Sequence, residues 1–138
     1  MSRLDGQIKI LEFPELGDER GNLVVIEGGI AVPFDVKRIF YIYGSDATVR
    51  RGCHSNLRSE FVLINVAGTS KVLVDNGEEK RVIYLDKPRM GLWLANNVWK
   101  EMYDFSPDSV LLVLSNEHYD GAEYVRDYNE YLAGIKGV

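Results

Sequence analysis

The sequence has a single cysteine, Cys53, and only two histidines among its 138 residues. One thiol excludes an internal disulfide, and so few thiol and imidazole groups exclude a zinc finger or zinc ribbon. No apolar run approaches the ~18 residues that a membrane-spanning helix requires, and the first residues lack the apolar core of a signal peptide. We therefore predict a cytoplasmic protein in a reducing compartment, without membrane contact.

Positive charge is also scarce, because 16 lysines and arginines stand against 21 aspartates and glutamates, a net charge of −5. Nucleic-acid-binding proteins carry a clustered basic surface, so no nucleic-acid partner is predicted. The hydrophobic content of 46% and the charged content of 27% are typical of a globular chain and argue against a disordered one. The length suits one compact domain over residues 1–138.

Short runs of β-branched and aromatic residues make up most of the chain. They predict strands over residues 23–26, 38–43, 61–66, 71–74, 81–85, 91–94, 99–103 and 110–114. Asn76 and Gly77 stand between two of these runs and predict a hairpin. Regular strands without βαβ alternation predict an antiparallel sandwich or barrel. The one predicted helix follows Asp120, which precedes Glu123 by the spacing of a capping box.

The densest polar cluster covers residues 50–60. Gly52 permits a bend, and strand alternation then directs His54 and Asn56 to one face, with Glu60 as a further candidate. Arginines close to a histidine in an acidic protein indicate an anionic ligand. The alternative, on charge alone, is a solvated strand end with salt bridges.

The segment from Gly52 to Glu60 resembles the first motif of the cupin barrel, G-x-H-x-H-x-x-x-E, in which the two histidines and the glutamate bind metal. Here Asn56 stands at the second histidine, and Lys100 stands where a later histidine ligand is expected. One imidazole, one carboxylate and one ammonium do not make a transition-metal site. We predict no metal.

Over nearly the whole chain the resemblance narrows to the sugar-nucleotide 3,4-ketoisomerases, which act on dTDP-4-keto-6-deoxyglucose. The matching segments recur in the same order at residues 18–23, 33–38, 41–43, 51–54, 98–102 and 124–128. This chain retains Arg51, Gly52 and His54 of the family pattern R-G-x-H-A-H, and Asn56 replaces the second histidine. The resemblance implies an all-β, cupin-type jelly-roll antiparallel barrel with a short C-terminal helix, a homodimer paired through N-terminal strands, and no cofactor.

A 3,4-ketoisomerisation moves a carbonyl from C4 to C3 of the sugar through an enediol, so it needs a group that removes a proton from C3 and a donor for C4. His54 is the predicted proton shuttle, because imidazole titrates near neutral pH. Asn56 forms hydrogen bonds but transfers no proton. Tyr43, Tyr103 and Lys100 are the candidate partners of His54, and a desolvated lysine can titrate near neutrality.

The remaining candidates bind the dTDP-linked keto-sugar. Arg51, supported by Arg20 or Arg58, is predicted to hold the diphosphate, because guanidinium groups make two-point contacts with phosphate oxygens. Asn56, Glu60 and Tyr41 are predicted to line the sugar site. The resemblance places the enzyme in deoxy-amino-sugar synthesis for surface polysaccharide such as O-antigen. Two alternatives remain: an epimerase-like enzyme with a single catalytic histidine, and a nucleotide-sugar-binding module without turnover.

Overall fold

A computed structural model describes residues 2–136 as a protein built mainly of strands. The strands are β1 (Ile8–Glu12), β2 (Glu15–Asp18), β3 (Gly21–Val24), β4 (Arg38–Tyr43), β5 (Arg51–Asn56), β6 (Phe61–Ala67), β7 (Ser70–Asp75), β8 (Lys80–Leu85), β9 (Met90–Leu94), β10 (Trp99–Tyr103), β11 (Val110–Ser115) and β12 (Tyr124–Val125). The helix α1 (Tyr128–Lys136) follows, and short 3₁₀ turns lie at Arg3–Gly6 and Gly121–Glu123. The predicted domain over 1–138 also includes residues 1, 137 and 138, which lie outside the described residues.

The strands form two five-stranded sheets, one in the order β1-β9-β6-β11-β4 and the other in the order β12-β5-β10-β7-β8. All neighbouring strands in both sheets are antiparallel. Strands β2 and β3 form a separate hairpin. The predicted all-β, cupin-type antiparallel jelly roll with a short C-terminal helix is therefore confirmed. No helix within residues 2–136 has the length and apolar character needed to cross a bilayer.

The main core lies between the two sheets, because alternate side chains of each strand point inward. Leu63, Leu92 and Leu111 from the first sheet belong to the same buried cluster as Val72 and Val74 from the second. The central strand β6 is buried on both faces. Its outer residues pack with Val32 and Phe34 in a second cluster, which explains why this strand is a continuous apolar run rather than an alternating one.

The hairpin predicted at Asn76 and Gly77 joins β7 to β8, with Asp75 paired to Lys80. Gly77 has a φ of +88°, which glycine adopts without the steric cost of a side chain. The Asn76 side-chain oxygen accepts hydrogen bonds from the backbone N–H groups of Glu78 and Glu79. Local turn chemistry was thus sufficient to locate this connection.

The helix predicted after Asp120 is present, but the predicted cap was wrong, because α1 begins at Tyr128 and not directly at Asp120. Asp120 instead caps the 3₁₀ turn, where its carboxylate accepts from the Ala122 N–H. Glu123 does not close a capping box but is buried against the loop after β5. The next two residues then pair with β5 as β12. Pairing with a sheet edge and burial of Glu123 outweigh the weak local helix pattern.

The other departures from the predicted strands occur near the N-terminus. Strands β1 and β2 were not predicted, and the strand expected over 23–26 lies at Gly21–Val24 as β3. Both strands of the β2–β3 hairpin are almost entirely exposed. Their side chains therefore lack the buried face from which a strand is recognised by its hydrophobic alternation.

Candidate active site

A cavity of about 190 Å³ opens between the two sheets. Its lining comes from both sheets and comprises Phe40, Ile42, Arg51, Gly52, His54, Phe61, Leu63, Lys100, Met102, Val113 and Tyr124. Most of this wall is apolar, and the polar groups are concentrated on β5 and β10. The volume is below the ~300–1,000 Å³ of a drug-sized ligand site. It therefore suits a sugar ring, with any larger attached group held at the rim.

A bulge in β5 turns its polar side chains into this cavity. Gly52 and Cys53 have φ angles of +80° and +54°, and the register with β10 shifts between Lys100 and Glu101. A bulge of this kind re-aims the side chains that follow it. As a result His54 lines the cavity, and Asn56, two residues on, contacts Lys100 behind it. The two side chains lie on the same inner face, as alternation predicts.

His54 is held as a neutral imidazole at neutral pH. Its ring lies against the ring of Tyr124, with centroids 4.8 Å apart. Burial and, to a smaller extent, the nearby charge of Lys100 together lower the pKa of His54 to about 4. An uncharged ring nitrogen facing a cavity has the protonation state that a general base needs.

Lys100 is buried beside His54, and it has no salt bridge to a carboxylate within residues 2–136. Its Nζ donates a 2.7 Å hydrogen bond to the side-chain oxygen of Asn56 and lies 4.3 Å from the centre of the Phe61 ring. Burial lowers the pKa of Lys100 to about 7, although the charge of Glu123 partly opposes this effect. The ammonium and the free amine are therefore both accessible near neutral pH.

Glu123 is a buried part of this site that sequence reasoning missed. Its carboxylate accepts hydrogen bonds from the backbone N–H groups of Arg58 and Ser59, both at 2.8 Å, from the Ser59 hydroxyl, and from the Asn56 amide at 3.1 Å. Burial acts to raise the pKa of Glu123, but the hydrogen bonds from Ser59, Arg58 and Asn56 hold it below its ordinary value. The sequence carried no signal for this contact, since 67 positions separate Glu123 from Asn56.

The predicted tyrosines do not reach the cavity of their own chain. Tyr41 and Tyr43 alternate with Phe40 and Ile42 on β4, and it is the latter pair that lines the cavity. Tyr41 and Tyr43 are 61% and 71% exposed on the outer face. Tyr103 also points outward on β10, where the Arg50 guanidinium stacks on its ring. These placements are corrections, because a phenol on the outer face cannot exchange a proton with His54.

The predicted arginines separate into free and paired groups. Arg51 lines the cavity and forms no ion pair within the described residues. Arg20 is paired with Asp18 on the exposed β2–β3 hairpin, away from the cavity lining. Arg58 is paired with Asp120 at 2.9 Å. Only Arg51 of the three combines access to the cavity with an uncommitted guanidinium.

Glu60 is also absent from the cavity. Its carboxylate accepts a 2.9 Å hydrogen bond from the indole N–H of Trp93, and its backbone N–H donates to the side chain of Asn116. The structure corrects the sugar-contact prediction for this residue. Within residues 2–136, no group of three or more His, Cys, Asp or Glu side chains is arranged to hold a metal ion.

Two further arginines, which were not predicted as site residues, contact Tyr124 in the cavity wall. The Arg38 guanidinium lies over the rings of Phe40 and Phe61 and donates to the Tyr124 hydroxyl at 3.2 Å, while its Nε is buried without a hydrogen-bond partner. The Arg126 guanidinium lies over the Tyr124 ring, 4.7 Å from the ring centre. The recurrence of segments 33–38 and 124–128 in the resembled family was the sequence signal for this part of the site.

Comparison with known proteins assigns this chain to one family. The family described as "FdtA: WxcM-like, C-terminal" matches residues 6–136. A curated relative, the TDP-4-oxo-6-deoxy-alpha-D-glucose-3,4-oxoisomerase of Aneurinibacillus thermoaerophilus, is 38% identical over 123 residues, which is 89% of this chain and 88% of the relative.

Solved structures agree with this assignment. A mutant of the 3,4-ketoisomerase QdtA from Thermoanaerobacterium thermosaccharolyticum, with one histidine changed to asparagine and in complex with TDP-4-keto-6-deoxyglucose, is 37% identical, covers 95% of both chains and has a TM-score of 0.92. The 3'-monoepimerase ChmJ from Streptomyces bikiniensis, at 16% identity and a TM-score of 0.75 over 86% of this chain and 68% of its own, shares the fold alone. The predicted resemblance to sugar-nucleotide 3,4-ketoisomerases is confirmed, and this chain belongs to the FdtA family, WxcM-like, C-terminal.

Proposed function

We propose that this protein is an isomerase that moves the carbonyl of a TDP-linked 4-keto-6-deoxyhexose from C4 to C3. The observation that carries the proposal is the pairing of His54 and Lys100 across β5 and β10, with both side chains facing one sugar-sized cavity. His54 is a neutral base at neutral pH, and a substantial fraction of Lys100 is the ammonium there. This pair matches the base and the donor that an enediol mechanism needs.

In the proposed reaction neutral His54 removes the proton from C3. Electron density moves to the C4 oxygen, which receives a hydrogen bond and then a proton from the Lys100 ammonium. The resulting enediol collapses in the opposite sense, because protonated His54 returns its proton to C4 while the C3 hydroxyl proton passes to the Lys100 amine. The net change is a shift of one carbon-bound and one oxygen-bound hydrogen, so no cofactor is required.

The diphosphate of the substrate is proposed to lie at the rim, where Arg51 has no ion pair. Arg38 and Arg126 are near enough to join it, because both border the aromatic wall formed by Tyr124. Free guanidinium groups bind phosphate more effectively than those already paired with carboxylates. Arg58 is held by Asp120 and would contribute only by exchanging partners.

A homodimer is proposed as the working form. The β2–β3 hairpin packs little against its own sheets, and an isolated hairpin is only marginally stable in water. Strand β4 forms the edge of its sheet and exposes Ile39, Tyr41 and Tyr43 along its outer face. A second copy would cover both features, and it is the means by which Arg20 on the hairpin would approach a cavity. We place this dimer in the cytoplasm, in deoxy-amino-sugar synthesis for surface polysaccharide such as O-antigen.

An epimerase-like reaction is the second candidate, and the contact between Tyr124 and His54 favours it. A single histidine base and one tyrosine acid are sufficient for epimerisation beside a carbonyl, and the Tyr124 hydroxyl already accepts a hydrogen bond from Arg38. The ketoisomerase reaction is preferred because Lys100 supplies a cation inside the cavity. Epimerisation would leave the carbonyl at C4, which separates the two reactions experimentally.

Incubation with TDP-4-keto-6-deoxyglucose in deuterated water, followed by NMR, tests these proposals. A carbonyl at C3 supports the ketoisomerase, and deuterium at C4 then measures how far the His54 proton exchanges with solvent during transfer. Exchange at C3 and C5 without carbonyl migration identifies an epimerase-like enzyme. Binding with neither exchange nor carbonyl migration identifies a non-catalytic module. The His54→Asn protein serves as the control, since it should bind the nucleotide without exchanging the sugar protons.

A further inference from the structure

The Asn56 amide connects two buried charged groups that do not touch each other. Its oxygen accepts from Lys100 Nζ at 2.7 Å, and its nitrogen donates to Glu123 Oε2 at 3.1 Å. The three residues are 1%, 4% and 0% exposed, in the order Asn56, Lys100 and Glu123. Buried charges are retained in proteins when hydrogen bonds or opposite charges compensate their lost hydration. The three side chains therefore form one compensated unit.

Glu123 determines which way the Asn56 amide faces. A carboxylate only accepts hydrogen bonds, so the NH₂ group of Asn56 must point to Glu123 and its oxygen must point to Lys100. That oxygen is itself only an acceptor, which favours the ammonium as the donor opposite it. Glu123 cannot swing away, because the backbone N–H groups of Arg58 and Ser59 and the Ser59 hydroxyl hold its carboxylate from the opposite side.

We propose, building on the isomerase function above, that Glu123 is a positioning residue that holds Lys100 through Asn56 as a charged donor directed at the keto-sugar. Glu123 is not among the residues that line the cavity, so it acts on the sugar through the other two side chains. Asn56 suits this bridge because an amide does not titrate. A histidine at position 56 would add a second protonation equilibrium between the two charges.

Among the groups that face Lys100 from the neighbouring elements, Glu123 is the one whose charge stabilises the ammonium. Arg38 on β4 opposes the ammonium charge, and His54 on β5 is neutral at neutral pH. Phe61 on β6 contributes its ring face, while β7 presents Val74 as the register partner. Glu123 is the carboxylate whose charge favours the ammonium. Its loss would leave Lys100 buried between the Phe61 ring and the charge of Arg38.

The test compares the native protein with the Glu123→Gln variant. In protein labelled at the lysine carbons, NMR follows the titration of the Lys100 ammonium. The Lys100→Met variant, which lacks this signal, assigns it. The neutral amide removes the supporting charge and can donate to Asn56, which permits the Asn56 amide to rotate. We expect the Lys100 titration midpoint to move to lower pH. The alkaline limb of kcat should move with it, and kcat at pH 7 should fall roughly 10-fold, less than the ~10²–10⁴ of a lost acid–base group, while KM changes little.

Asp75→Asn is the matched control. Asp75 is a carboxylate that is 2% exposed and bonded to the Tyr128 hydroxyl, on the strand next to β10 but outside the Lys100 network. This variant should leave the Lys100 midpoint and the pH profile unchanged, whatever stability it loses. Equal shifts in both variants would show a general effect of losing a buried carboxylate and would overturn the proposal.

An unchanged Lys100 midpoint in folded Glu123→Gln protein would also overturn it. If that variant fails to fold, Asn56→Leu breaks the bridge while leaving both charges, and the midpoint should again move to lower pH. An unchanged midpoint there would count against the proposal equally. Full turnover in Lys100→Met would show that Lys100 is not the acid of the proposed function. The titration midpoint of Lys100 in Glu123→Gln tests the role of Glu123 independently of that result.

Discussion

His54 on β5 and Lys100 on β10 are direct register partners, and both side chains line the same cavity. Neighbouring residues across an antiparallel pair lie close enough for their side chains to interact. The positive charge of Lys100 helps to keep His54 neutral. The acid of the proposed reaction therefore helps to keep its base unprotonated.

The first prediction concerns His54. His54→Asn should lower turnover by ~10²–10⁴, the usual contribution of a positioned acid–base group. TDP affinity and the melting temperature should remain nearly unchanged, since asparagine can form a hydrogen bond in the same space. Steady-state kinetics, calorimetry and thermal unfolding measure the three quantities. A lowered melting temperature with the rate preserved would mean that His54 is a packing residue.

The second prediction concerns the pH dependence of kcat/KM, which reports groups of the free enzyme. The rate should rise as His54 loses its proton near pH 4 and fall as Lys100 loses its proton near pH 7. Arginine remains charged but does not release its proton at any of these pH values, so Lys100→Arg should lose most of the turnover across the whole pH range. Retained turnover in Lys100→Arg with an alkaline limb still near pH 7 would assign that limb to another group.

The third prediction concerns stability in acid. The pKa of His54 is about 4 in the folded protein and 6.5 ordinarily, so the unfolded chain binds the extra proton between these values. The free energy of unfolding should therefore rise with pH from 4 to 6.5, by up to about 3 kcal/mol for this group. Urea unfolding of the native protein and His54→Gln at pH 4 and 7 measures the difference. Identical pH dependence in both proteins would contradict it.

The fourth prediction concerns diphosphate binding. Arg51→Ala should weaken TDP binding by ~1.5–3 kcal/mol, the range for hydrogen bonds to charged groups. Arg58→Ala serves as a control just after β5, and its effect should be smaller because the Arg58 guanidinium is engaged by Asp120. Titration calorimetry gives both affinities. Unchanged affinity in Arg51→Ala would remove this residue from the site.

The fifth prediction concerns the homodimer. Light scattering should give twice the 15.7 kDa mass of the chain. Tyr41→Asp places a charge on the exposed edge strand β4 and should shift the protein towards monomer. Tyr84→Asp, on the outer face of β8 at similar exposure, should not. A mass of one chain for the native protein at micromolar concentration would rule out the dimer.

Local pattern was enough for much of the fold. Strand β4 was predicted with its exact bounds, and the hairpin at Gly77 was located, because β-branched runs and turn residues act over a few neighbouring positions. The same alternation placed His54 and Asn56 on one face. The match to family motifs over residues 6–136 added the fold and the chemical class.

Tertiary structure decided what local pattern left open. The sequence predicted that Tyr41 and Tyr43 share one face of β4. Only the packing of the sheets showed that this face points outward and that Phe40 and Ile42 point inward. A period of two gives two faces and does not say which one is buried. Glu123 shows the same limit over a longer distance. Its spacing from Asp120 fits a helix start, yet its partners lie 64 to 67 positions earlier in the chain, and only folding brings them together.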